Sequence, residues 1–207
     1  CGLLIMPNKD TYKEWRLEYG VQTCGLLTLP NKNTYENWRQ EKNGVQRCDL
    51  KTMPNRTSFQ NWRLENGVET CALVTKSNRT TYENWRQEKN GDQRCDLKTL
   101  PNRTTCQNWR KEKNGVLTCD LLSFPDGDTY KNWRQEKNGD ETCDLKTMPD
   151  RTTFQNWRLE NGDQRCDLKT MPNRTTFQNW RKEKNGVETC ALLTMPNRTT
   201  YKNWRSK

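Results

Sequence analysis

"SFQNWRLENGVETCALVT", residues 58–75, decides how this chain folds, and it can be read in two ways. In the first, residues 58–66 form a short helix. Asn or Thr of the preceding "NRT" caps its start, and Gly67 ends it in the left-handed conformation. Phe59 and Trp62 then share one helical face at i, i+3, and "VETCALVT" follows as a strand. In the second reading, Asn66-Gly67 is a type I′ turn joining two strands in a hairpin. Arg63 and Glu65 then lie on one strand face at i, i+2 and can form charge ladders with neighbouring copies.

The stretch is one copy of a tandem repeat, and comparing the copies helps to choose. Aligned on cysteine, repeats of 23 or 24 residues begin at Cys1, Cys24, Cys48, Cys71, Cys95, Cys119, Cys143, Cys166 and Cys190. All nine tryptophans share one column, each followed by arginine, and all eight prolines share another, from which Ser77 alone departs. The shorter repeats read "WRLENG" or "WRLEYG", the longer ones "WRQEKNG" or "WRKEKNG". An extra residue beside a two-residue hairpin turn is expected to shift strand register, whereas a helix end absorbs it. The Gln, Arg, Lys and Glu of the segment also suit a helix. The expected fold is therefore an α/β tandem-repeat solenoid of nine repeats, each one short strand plus one short helix, with an all-β array of hairpins as the alternative. Residues 1–207 are read as a single elongated array.

Composition agrees with a thin core. Apolar residues make up 30% of the chain, roughly 35% once glycine is added, against ~45–50% in ordinary globular domains. So small a repeat cannot bury its own apolar face, and copies must stack. The period is similar to those of leucine-rich and MORN repeats, but the L-x-x-L-x-L ladder of the one and the glycine pattern of the other are missing, so neither resemblance implies a function. No apolar run reaches the ~18 residues that span a bilayer, and no signal peptide is visible. The chain opens on Cys1 inside a repeat and stops at Lys207 before the next Asn-Gly, which reads as a processed product or a piece of a longer array.

Three columns are candidates for function. The cysteines Cys1, Cys24, Cys48, Cys71, Cys95, Cys119, Cys143, Cys166 and Cys190 form either a buried column of small apolar thiols or a set of bridges between repeats or chains, and Cys106 adds a tenth thiol where other copies carry Tyr or Phe. The Trp-Arg pairs Trp38–Arg39, Trp62–Arg63, Trp85–Arg86, Trp109–Arg110, Trp133–Arg134, Trp157–Arg158 and Trp180–Arg181 either bury the indole or expose an aromatic-basic stripe. Asn55, Asn78, Asn102, Asn173 and Asn197 each begin an N-x-T sequence, a candidate N-glycosylation site that serves equally as a turn or helix cap.

Catalysis and metal binding find no support in the residues. The chain has no histidine, no Gly-rich phosphate loop, and no C-x₂-C pair. Every candidate recurs in each repeat, whereas active sites are singular. No cofactor is implied. The net charge of +10 is diluted by closely alternating acids, so nucleic acid is a less favoured partner. The expected function is structural: an array that stacks and associates, with itself or with another repetitive polymer, into a fibre, sheath or extracellular matrix, without a membrane. The alternative is a multivalent reader of a polyanion or glycan through the Trp-Arg columns.

Overall fold

A computed structural model, describing residues 2–206, is all β: nineteen strands and no helix occur among the described residues. The residues group into two compact units, Cys1–Pro101 and Asn102–Lys207. In the first unit the strands run from Leu3–Ile5 to Gln93–Thr99, and in the second from Thr105–Lys111 to Thr200–Arg205. Within each unit, consecutive full-length strands of six to eight residues pair antiparallel, so successive repeats lie side by side.

The strand-plus-helix repeat is thereby corrected, and the hairpin alternative is the one adopted. Ser58–Glu65 is a strand, Val68–Thr75 is its antiparallel partner, and Glu65 pairs with Val68 across Asn66-Gly67. Both turn residues have positive φ, 50° at Asn66 and 76° at Gly67, as a type I′ turn requires.

The extra residue of the longer repeats does not shift strand register, because the turn itself takes it up. In the longer repeats the turn is Lys42-Asn43-Gly44, where Glu41 N–H donates to the Val45 carbonyl at 2.9 Å and Gly44 N–H donates to the Glu41 carbonyl at 3.0 Å. This is a type I turn closed by a residue in the left-handed conformation, Gly44 at φ 83°. Arg39 then pairs with Arg47 just as Arg63 pairs with Thr70 in the shorter repeat. The additional residue is consumed inside the turn, and strand register is unchanged. The Pro-Asn-Arg corners use the same three-residue loop: Pro54 presets φ at its first position, and Arg56 at φ 63° closes it.

The second misleading cue was the i, i+3 spacing of Phe59 and Trp62. On a regular strand these residues would face opposite ways, yet both are buried. Asn61 between them has φ 51°, and the residue preceding Trp has positive φ in every repeat, Glu14 included. One left-handed residue in mid-strand rotates the chain so that Phe59 and Trp62 reach the same face. Asparagine tolerates that conformation better than other residues with a β-carbon.

The buried face consists of two rows across the strands. Tyr35, Lys51, Phe59, Val74 and Tyr82 are successive cross-strand partners in one row, and Cys48–Trp62 and Cys71–Trp85 are partners in the other. Rings of one repeat meet the indole of the next edge-on: Tyr35–Trp62 at 5.3 Å and Phe59–Trp85 at 5.8 Å in the first unit, Tyr130–Trp157 at 5.6 Å and Phe177–Trp204 at 5.8 Å in the second. Such pairs add ~0.5–1.5 kcal/mol beyond burial. Within each unit, a repeat whose preceding neighbour carries Tyr or Phe thus completes its core with that neighbour's ring.

Candidate functional site

Alternation along the strand puts each Trp and the Arg after it on opposite faces, and the left-handed residue before Trp turns the indole to the buried one. Trp38, Trp62, Trp85, Trp109, Trp133, Trp157 and Trp180 are at most 8% exposed. The following Arg39, Arg63, Arg110, Arg134, Arg158 and Arg181 are exposed, and Arg86 is half-buried. The indoles therefore belong to the core, and only the guanidiniums reach solvent.

The cysteine column is buried beside the indoles. Cys24, Cys48, Cys71, Cys95, Cys143, Cys166 and Cys190 are free thiols, and Cys1 lies outside the described residues. Within each unit, consecutive members of the column are separated by a Trp-bearing strand, which puts about 10 Å between them, beyond disulfide reach. Burial pushes the Cys48, Cys71, Cys95, Cys143 and Cys166 thiols up to about 12. Cys106 and Cys119 are joined in a disulfide. Cys106 occupies the aromatic position, and the kink at Asn108 brings its Cα within 5.6 Å of Cys119.

The sequon asparagines sit in the Pro-Asn-Arg corners. Asn55, Asn78, Asn102, Asn173 and Asn197 each accept, through Oδ1, the backbone N–H two residues on, at 2.9–3.0 Å. This bond holds the turn, and each of these asparagines is exposed.

The exposed face carries an arginine row. In the first unit Thr23, Arg39, Arg47, Arg63, Thr70, Arg86 and Arg94 are successive cross-strand partners. In the second unit Arg134, Thr142, Arg158, Arg165, Arg181 and Thr189 follow one another in the same way. The Trp-bearing strand always contributes Arg. The other strand contributes Thr where the sequence reads "TC" and Arg where it reads "RC", so three consecutive arginines occur at Arg39–Arg47–Arg63 and at Arg158–Arg165–Arg181. Arg47, Arg94 and Arg165 were not among the residues singled out from sequence. The variation of the column before cysteine was their signal.

Carboxylates partly balance this row. Glu41 accepts from Arg39 Nε at 2.6 Å and also from Arg47, and these bonds hold its carboxyl below the usual range. Arg63 donates to Glu65 at 2.7 Å, Arg165 to Glu160, and Arg181 to Asp163 at 2.9 Å. Beside the arginines runs a row of asparagines, where Asn37 donates to Asp49, Asn84 to Asp96 and Asn156 to Asp167, each at 2.8 Å. Asn37, Arg39, Arg47, Asp49, Asn61 and Arg63 line one open depression on this face. A planar guanidinium offers forked donors to sulfate, phosphate or carboxylate. The geometry is that of a surface able to bind anions.

No protein-family model and no curated protein matches the chain. Among solved structures it is similar to the TCP10c domain of Drosophila melanogaster Sas-4, at 12% identity over 93% of this chain and 99% of that one, with a TM-score of 0.33. It is also similar to the Drosophila melanogaster SAS-4 (dCPAP) TCP domain in complex with a proline-rich motif of Ana2 (dSTIL), at 11% identity over 99% and 88% of the two chains, with a TM-score of 0.35. Likenesses of this size carry no argument about function.

Proposed function

We propose that the chain is a non-enzymatic structural scaffold whose repeated β-hairpins associate with further copies, or with another repetitive polymer, into an extracellular assembly. The observation that carries this reading is the recurrence of one contact: within each unit the Tyr or Phe ring of one repeat packs on the tryptophan of the next, as Tyr35 does on Trp62 and Phe154 on Trp180. Packing between repeats supplies much of the core, and every repeat presents an arginine after its tryptophan. Such a molecule suits a load-bearing or organising role better than the turnover of a small substrate.

Sedimentation velocity across a concentration series, with electron microscopy of the same samples, tests the reading. Growth into filaments or larger particles with concentration supports it. An inert monomer at every concentration removes it. Intact mass before and after reduction and deglycosylation tests the compartment: glycan mass on the Asn-x-Thr corners is expected of a secreted chain.

A further inference from the structure

We infer that the arginine triplets Arg39–Arg47–Arg63 and Arg158–Arg165–Arg181 bind a sulfated linear polysaccharide, a ligand that goes beyond the assembly reading. Three arginines directly opposite one another on adjacent strands, ~4.8 Å apart, repel. Their own carboxylates do not fully offset this. In the second triplet Arg165 is met by Glu160 and Arg181 by Asp163, while Arg158 has no ion-pair partner among the described residues. In the first, Glu41 is divided between two guanidiniums and Arg63 spends one nitrogen on Glu65, so donors remain on all three.

The asparagine row supplies the second, independent observation. In each triplet the first asparagine is engaged by an aspartate, Asn37 by Asp49 and Asn156 by Asp167. The second, Asn61 or Asn179, is followed on the next strand by Ala72 or Ala191 where that aspartate would stand, and its exposed amide has no hydrogen-bond partner among the described residues. Each site therefore joins three guanidiniums, an Asn–Asp pair and one free amide. Each compact unit contains one copy. The guanidiniums suit sulfates, and the amides and carboxylate suit the hydroxyls between them.

A nucleic acid would fit less well. Single-stranded binders stack bases on exposed aromatic rings, and the rings beside these triplets are buried on the opposite face.

The test uses the whole chain and three probes: heparin fragments, the same glycan desulfated, and polyuridylate. The variants are Arg47→Thr with Arg165→Thr, and Thr70→Arg. Threonine already occupies the equivalent positions 23, 70 and 142, so the fold accommodates it. The double variant is expected to weaken heparin binding about tenfold or more and to flatten its salt dependence. Thr70→Arg, which extends the first triplet, is expected to tighten it. Unchanged affinity in the double variant overturns the proposal. So does equal binding of the desulfated glycan, or tighter binding of polyuridylate. Sedimentation of the double variant without polymer separates this failure from failure of the assembly reading.

Discussion

Phe59 and Trp62, three residues apart on one strand, bury on the same face because Asn61 between them holds φ at 51°. The whole buried face depends on this rotation, since it aligns the ring row with the Trp–Cys row. Asn61 is the cleanest place to probe it, because no aspartate engages its side chain. A β-branched residue should resist the left-handed conformation by ~1–2 kcal/mol. Asn61→Val is therefore expected to lower stability in urea by about that amount, and Asn61→Gly to leave it nearly unchanged. Equal stability of the two variants would show that the rotation is not maintained by this residue.

Trp62 contacts the Tyr35 ring at 5.3 Å and lies under the Lys51 ammonium at 4.6 Å, so removing it damages the preceding repeat as well as its own. Trp62→Ala is expected to cost ~3–5 kcal/mol and to speed amide exchange in Thr34–Gln40. Arg63→Ala, at an exposed ion pair, should cost no more than ~1 kcal/mol. Comparable losses in the two variants would contradict the division of the Trp-Arg pair between faces.

Deleting Lys42 should convert the Lys42-Asn43-Gly44 loop into the Asn-Gly turn used at Asn66-Gly67, with strand register kept. The expected change in stability is small, within ~0.5–1 kcal/mol. A large loss, or altered cross-strand contacts by NMR, would mean that the two turn classes are not interchangeable.

Alkaline pH should weaken the fold. Burial raises Cys24 to about 11 and Cys48, Cys71, Cys95, Cys143 and Cys166 to about 12. An unfolded thiol ionises near ~8.5. Because the folded values are the higher ones, the contribution is fully present below the unfolded value and is lost as pH rises towards the folded one. Burial also raises Tyr12, Tyr35 and Tyr130, which act in the same direction. Melting temperature is expected to fall between about pH 9 and 12, and more gently after Cys48→Ala and Cys71→Ala. A flat profile to pH 11 would contradict the buried column.

Much of the architecture was legible in the sequence. The register of nine tryptophans fixed the repeat, and poverty in apolar residues required stacking. The hairpin was legible only as an alternative, because two local devices imitate a helix. The left-handed Asn61 produces an i, i+3 apolar spacing on a strand, and the three-residue turn at Lys42-Asn43-Gly44 hides an insertion. Neither is visible in periodicity or propensity. The arginine rows were half legible: Arg63 was noticed with its tryptophan, whereas Arg47 becomes its neighbour only through strand pairing.

That each hairpin folds by resting on the next can be measured most directly by denaturing chains of one, two and three consecutive hairpin repeats taken from residues 34–99, all inside the first unit. A single repeat is expected to be unstructured, and unfolding free energy and denaturant sensitivity to rise with each repeat added. A single repeat that folds cooperatively, with a stability the longer chains do not exceed, would contradict it.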